Sequence, residues 1–469
     1  MRILLIILLT SFSWAIDFDI YFTGQTFRFD YYHNGTAAEE HISFDQIRLE
    51  GLWPGSRIQL IDDTNLGKYY IEVIDLTSAE IIYSRGFCSI YGEWETTSDA
   101  RAGNWGTFHE SLRFPEPKSI VKLQLYKRNA KMKFKEIFSF EINPMDFRIK
   151  RSKPEKRYKT RNIMINGEPA TKVDILLLGD GYTKLDAGKF RSDTRRMLKA
   201  LFATEPFISR KEDFNIRSIK VHSPEPGISN PRNNIWKNNT LGTSYNTFDS
   251  DRYVLSFDNQ TIREIAAQAP YDVLVILIND DKYGGGGIFN LYSTVAVDTE
   301  PAEYVMVHEL GHSFGGLGDE YYSSTVAYEN YNPKGVEPWD PNITALLEPG
   351  QLKWGNLVEP GTPLPTPWDK AVFDSARVNY SFNDFKLSLT GTTSADTMNA
   401  RFRALKKATE SVLQANQYFG KVGAFEGAGY EAEGLYRPEI DCIMFSRNPD
   451  HFCRVCQAAI VRMIDFYTK

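Results

Sequence analysis

The chain has 469 residues, with 54 Lys and Arg against 60 Asp and Glu and a net charge of −6. Its length implies two or three domains, and the acidic balance leaves no basic field to gather phosphates, so nucleic acid is not an expected partner. A mean hydropathy of −0.37 excludes a bundle of membrane helices. Only 7 His occur, so any two that share a tight motif carry information.

The chain opens with Arg2, the apolar run Ile3 to Leu9, a more polar stretch from Thr10 to Ser13, and Ala15 in a Ser-Trp-Ala sequence suited to signal peptidase. Residues 1–15 are expected to be a cleaved export signal, leaving the mature protein periplasmic or secreted. The apolar run is far shorter than the roughly 20 residues of a membrane span, so no stable membrane anchor is expected.

Residues 16–147 read as short alternating segments separated by Gly and Pro, such as Tyr69-Tyr70-Ile71-Glu72-Val73. That pattern predicts an all-β sandwich. Residues 148–162 carry eight basic residues and one acidic residue between Arg148 and Arg161, the composition of a solvated linker. From residue 163 to 469 strands alternate with helical stretches: Val173 to Gly179, Phe214 to His222 and Tyr271 to Asn279 are apolar runs of strand length, with helical spacing over Leu185 to Phe202 and Ile262 to Ala269. This order predicts an α/β domain with a mixed, mostly parallel sheet. After the loop-like run Gly284 to Gly287, Phe289 to Asp298 alternates with period two and reads as an edge strand.

Residues 308–320 run His-Glu-Leu-Gly-His-Ser-Phe-Gly-Gly-Leu-Gly-Asp-Glu. Two His four apart on a helix project from one face and can place two imidazole nitrogens on one metal ion, with zinc the usual occupant. Glu309 between them stands where a general base takes a proton from a metal-bound water. Gly315 and Gly316 stop the helix and turn the chain back under the metal. Metzincin endopeptidases usually keep a His or Asp at the position of Gly318, so the third ligand is expected one residue later at Asp319, with Glu320 as the alternative. Downstream, Cys442-Ile443-Met444 matches a Met-turn, whose Met forms an apolar floor beneath the ligands. The domain is therefore expected to be metzincin-like.

Cys442, Cys453 and Cys456 cluster near the C-terminus. A disulfide within the cluster is one expectation, and a Cys3His zinc site completed by His451 is the other.

These motifs resemble the IgA peptidase family of zinc metallopeptidases. The resemblance rests on His308 to Leu317 followed by Asp319-Glu320-Tyr321, and extends to Leu178 to Thr183, Tyr283 to Ile288, Glu426 to Tyr430 and Phe452 to Cys456. In the N-terminal part, Gly86 to Trp94 and Phe108 to Phe114 carry it. It implies metallopeptidase activity and an N-terminal β-sandwich, whereas immunoglobulin A as substrate does not transfer by motif. One Zn²⁺ is the expected cofactor, and a protein or peptide is the expected partner, host glycoproteins among the candidates. The expected reaction is hydrolysis of a peptide bond, with substrate paired along the strand Tyr292, Ser293, Thr294, Val295, Ala296 and Val297. Tyr436 and Arg437 are candidate oxyanion stabilisers. The competing functions are a surface adhesion protein with a structural zinc and a zinc-dependent cell-wall amidase.

Overall fold

The computed structural model describes residues 16–152, 155–322, 332–377, 395–447 and 449–469. The expected export signal lies outside these residues. The N-terminal domain holds seven strands: β1 (Phe22–Gly35), β2 (Glu40–Leu52), β3 (Tyr69–Asp75), β4 (Ile81–Phe87), β5 (Gly106–Pro117), β6 (Val121–Arg128) and β7 (Phe134–Ile142). They form two antiparallel sheets, ordered β2-β1-β5 and β4-β3-β6-β7. Period-two alternation puts Phe27, Phe29, Tyr31, Ile71, Val73, Leu123 and Leu125 in the interior, and burying these side chains contributes roughly 1.5–3 kcal/mol each.

A buried ion cluster pins this domain. His33 is enclosed, with Nδ1 2.9 Å from Glu110 Oε2 and Nε2 2.7 Å from Glu40 Oε1, and its ring stacks on Tyr91 at 4.0 Å. Burial lowers the His33 pKa, but Glu110 and Glu40 outweigh it and raise the value. Burial likewise opposes ionisation of Glu40, yet His33 and Lys127 bring it down to about 2. The raised His33 contribution is complete below about pH 6.5 and fades as pH rises through its folded value; the depressed Glu40 contribution is complete above about pH 4.5 and fades as pH falls towards its folded value. The cluster therefore stabilises most between those limits. His33→Gln is expected to cost about 3 kcal/mol and to flatten both limbs when urea unfolding is followed against pH; an unchanged pH profile would show that the cluster contributes nothing.

The second domain is built on a six-stranded sheet ordered β14-β15-β13-β9-β10-β8. Its strands are β8 (Thr160–Met164), β9 (Val173–Asp180), β10 (Phe214–Lys220), β13 (Val273–Ile278), β14 (Gly285–Ile288) and β15 (Tyr292–Ala296); a short pair, β11 (Thr243–Ser244) and β12 (Leu255–Ser256), stands apart. The four central strands are parallel, and β14 and β8 run antiparallel at the two edges. Helices Ala187–Leu201, Asn259–Ala266, Ala302–Ser313 and Arg454–Thr468 accompany the sheet.

Two expectations are corrected by this topology. The strand expected at the edge, Tyr292 to Val297, is interior, with all five residues of β15 buried between β13 and β14. The edge is β14, paired with β15, and its glycines stand where side chains would not fit. A Cβ on Gly285 would lie 2.8 Å from Thr294 O and Val305 Cγ1, and one on Gly287 would lie 2.5 Å from Glu309 O. The basic segment is also less free than a linker: Ile149 is buried, the Leu49 amide bonds the Lys150 carbonyl at 2.9 Å, and β8 begins at Thr160.

The two domains touch directly. The Cys88 amide donates to Phe289 O at 3.0 Å, Asn290 Nδ2 donates to Gly86 O at 2.6 Å, and Arg85 packs over the rings of Phe466 and Tyr467.

Candidate metal centre

Helix Ala302–Ser313 packs beneath β14 and β15 and carries His308, Glu309 and His312. It ends where the sequence places glycines. Gly316 adopts φ +63°, its amide bonds His312 O at 3.1 Å, and the Leu317 amide bonds Gly311 O at 3.0 Å. This left-handed turn favours Gly, which has no Cβ to clash. It reverses the chain so that Asp319 returns to the imidazoles.

The imidazoles are oriented from behind. His308 Nδ1 lies 3.0 Å from Ile443 O and 3.2 Å from the Tyr304 hydroxyl, which itself donates to Ile443 O at 2.9 Å. His312 Nδ1 lies 2.7 Å from Leu317 O. Carbonyls only accept, so both Nδ1 atoms carry a proton, and the Nε2 atoms are the ones turned towards the cleft, each able to offer a lone pair once it holds no proton of its own. Those Nε2 atoms are 3.1 Å apart, and Asp319 Oδ1 is 3.2 Å from each. Two imidazole nitrogens and a carboxylate oxygen converge on one point, an arrangement held together by a shared proton or by a cation in its place.

The electrostatics agree. Burial lowers the His312 pKa, but Asp319 and Glu309 more than offset it and push the value up to about 10. Burial opposes ionisation of Asp319, but His312 and His308 hold its carboxyl well below the ordinary range. A pocket that retains a proton so strongly is suited to a positive ion.

Two carboxylates compete for the third ligand position at the imidazoles. A carboxylate oxygen of Glu309 lies within 4.8 Å of one nitrogen of each imidazole, whereas Asp319 Oδ1 faces both Nε2 atoms at 3.2 Å. The Glu309 carboxylate rests instead against β14, where a Cβ on Gly287 would meet Oε2 at 3.0 Å. Burial is the main cause of its raised pKa, while the two imidazoles pull it down.

Gly318 explains why the acid stands one residue late. A Cβ there would lie 2.6 Å from Ile343 Cδ1 and 2.9 Å from Asp340 Oδ1, and Asn342 clamps the Gly318 amide and carbonyl at 2.8 and 2.9 Å. No ligand side chain fits at that position.

The alternative ligand, Glu320, points away from the imidazoles. Its Oε1 lies 3.1 Å from Cys456 Sγ and accepts from Asn342 Nδ2 at 3.0 Å. The two neighbouring carboxylates are thus directed to different clusters, Asp319 to the imidazoles and Glu320 to the cysteines. Met444 is buried under the helix: a Cβ on Gly311, between the two imidazoles, would lie 2.8 Å from its Sδ.

Tyr436 and Arg437 do not line the cleft. The Tyr436 backbone pairs with Thr344, and Arg437 is fully buried, stacked 3.8 Å over Phe445 and donating to Gly427 O and Ile440 O. The hairpin β16 (Phe425–Ala428) and β17 (Glu431–Arg437) directs its tip, not this end, at the site. At the tip Tyr430, at φ +67°, donates its hydroxyl to Asp319 Oδ2, and the amides of Gly429 and Tyr430 bond Asp319 O and Tyr321 O at 2.9 and 3.0 Å. Sequence reasoning missed Tyr430; the available signal was Gly427-Ala428-Gly429-Tyr430 as a tight turn between two alternating runs.

The convergent atoms open into a cleft of about 370 Å³ bordered by Gly285 to Ile288, Arg252, Tyr283, Tyr321, Tyr430 and Arg447, with Cys88 and Glu93 of the N-terminal domain at its margin.

Residues 162–464 of the chain match the family described as IgA Peptidase M64, and residues 17–139 match the model of that family's N-terminus. The chain belongs to the IgA Peptidase M64 family. Membership makes it a peptidase and accounts for the mainly β N-terminal domain followed by a mixed-sheet domain. A comparison with curated proteins finds no significant match.

Proposed function

We propose that this member of the IgA peptidase family is an exported zinc-dependent endopeptidase. The observation that carries the reading is the convergence of His308 Nε2, His312 Nε2 and Asp319 Oδ1 around one point, with the Glu309 carboxylate beside them against the edge strand β14. Two imidazoles and one carboxylate form a donor set suited to a catalytic zinc with an open position. The chemistry a bound Zn²⁺ supplies is Lewis acidity, which acidifies water and polarises a carbonyl.

The chain's own residues do the rest. Ile443 O and Leu317 O hold the imidazoles in the tautomer that leaves Nε2 free. Glu309 accepts the proton of the attacking water and delivers it to the departing amine. Its buried position raises its pKa and suits it to both halves of that transfer. Met444 closes the floor beneath Gly311.

Substrate is expected along β14. At Gly285 the outward N–H and C=O are taken by Arg252 O and the Val254 amide, and with period two the next outward-facing residue is Gly287. An extended peptide pairing there crosses directly above Glu309 and draws affinity from main-chain bonds. Gly287→Ala is expected to lower kcat about 100-fold by displacing the Glu309 carboxylate while metal content stays constant; a kcat within a factor of two of wild type would remove β14 from the site.

Export rests on the leader expected over residues 1–15. Among the described residues no helix is long and apolar enough to cross a membrane. The deciding experiment is digestion of an unbiased peptide library by mature protein, before and after chelation and with zinc restored. Internal cleavages that vanish with chelator and return with zinc are expected. Intact peptides together with glycan binding would favour an adhesion protein, and release of amides from cell-wall material alone would favour an amidase.

A further inference from the structure

Behind the Met444 turn lies a second set of donor atoms that peptide hydrolysis does not use. Glu320, Cys442, Cys453 and Cys456 are all buried, and one donor atom of each lies within 4.8 Å of the others. Cys442 Sγ is 3.9 Å from Cys456 Sγ, and Glu320 Oε1 is 3.1 Å from Cys456 Sγ and 3.9 Å from Cys453 Sγ. Tetrahedral zinc with bonds of about 2.3 Å to sulfur and about 2.1 Å to oxygen requires edges of about 3.8 and about 3.6 Å. The two oxygen–sulfur separations bracket their edge, and the sulfur–sulfur separation lies close to its own.

Backbone N–H groups are directed at two of the sulfurs. The Cys453 amide points at Cys442 Sγ at 3.2 Å and the Cys456 amide at Cys453 Sγ at 3.4 Å. Cys453 is the N-cap of the 15-residue helix Arg454–Thr468, whose N-terminus stabilises thiolates. Glu320 Oε2 is buried without a hydrogen-bond partner, and no ion pair joins Glu320 to a cation among the described residues. An enclosed carboxyl either keeps its proton or sits beside a cation; the charge of buried Arg437 acts on Glu320 without forming an ion pair, and a cation among the four donors would serve Glu320 and the sulfurs together. His451, the ligand expected from sequence, is exposed and turned to Asp450 at 3.3 Å; Glu320 stands in its place.

We propose that Glu320, Cys442, Cys453 and Cys456 bind a second, structural zinc ion. Soft thiolates select zinc over calcium or magnesium. The ion clips together three pieces of backbone that shape the hydrolytic site. Glu320 follows Asp319 directly and its amide bonds Met444 O at 2.9 Å, Cys442 O accepts from the Phe445 and Ser446 amides at 2.8 and 2.9 Å, and Cys453 begins the closing helix.

The test is made on exported, mature full chain. Metal analysis is expected to find two zinc ions per chain in wild type and one in His308→Ala/His312→Ala. After exchange with cobalt, an intense thiolate-to-cobalt charge-transfer band is expected in both proteins and not in Cys456→Ser. Because Cys456→Ser can fail to fold, wild type is also denatured with chelator and alkylated without reductant, where all four Cys should react. Alkylation of only two Cys would show a disulfide and overturn the proposal, as would one zinc per chain with no charge-transfer band. The band persisting in a protein that cleaves no peptide would leave this site standing while the peptidase reading falls.

Discussion

Glu309→Gln is expected to lower kcat/KM by about 10³-fold, about 4 kcal/mol of transition-state stabilisation, with the fold and the bound metal unchanged. Burial raises the Glu309 pKa, and Gln preserves the size and polarity of the side chain while removing its ability to take a proton. No ligand is lost, because the acceptors facing the metal position are His308 Nε2, His312 Nε2 and Asp319 Oδ1. KM should change little, since Glu309 acts on the proton in flight rather than on bound substrate. Measuring kcat, KM and zinc content on the same preparation separates the outcomes. Near-normal kcat with full metal would refute the general-base role, and lost metal would make Glu309 a ligand.

Asp319→Ala is expected to empty the histidine site. An outer hydrogen-bond partner of a ligand typically contributes about 10–100-fold in metal affinity, and Asp319 is proposed as the ligand itself, so its removal should exceed that range and leave no measurable hydrolysis. Two imidazoles remain, with the Tyr430 hydroxyl directed at an empty space. Glu320→Gln is the control: it removes a carboxylate one residue away that faces the Cys cluster, and the ion between His308 and His312 should stay. Competition titration with a chromophoric chelator reads both affinities. A histidine-site ion retained in Asp319→Ala and lost in Glu320→Gln would reverse the assignment.

The legible parts of the site were local. His308, Glu309 and His312 lie within one turn and a half of helix, so spacing alone puts two imidazoles on one face. Gly315 and Gly316 mark the helix end because the left-handed turn there favours residues without a Cβ. The return of Asp319 to the imidazoles follows from the same stretch, since only a few residues separate the turn from them. The strands β9, β10 and β13 were equally plain, being short apolar runs buried on both faces. Tyr436 and Arg437 were misplaced for the opposite reason: closeness to Met444 in sequence says nothing about which end of a hairpin faces the cleft, and it is the tip, with Tyr430, that does.

Amino-acid order was enough to establish the helix-borne motif, the β-rich first domain and the alternating second one, because periodicity and turn chemistry act over a few residues. Strand order, and so the identity of β14 as the edge, arose from tertiary pairing, since Gly285 to Gly287 carry no side-chain pattern of their own and are a strand through their pairing with β15. The same holds for Glu320. Its separation from Asp319 into a buried cluster with Cys442, Cys453 and Cys456 joins residues more than a hundred positions apart, and only long-range packing brings such atoms within bonding distance of one ion.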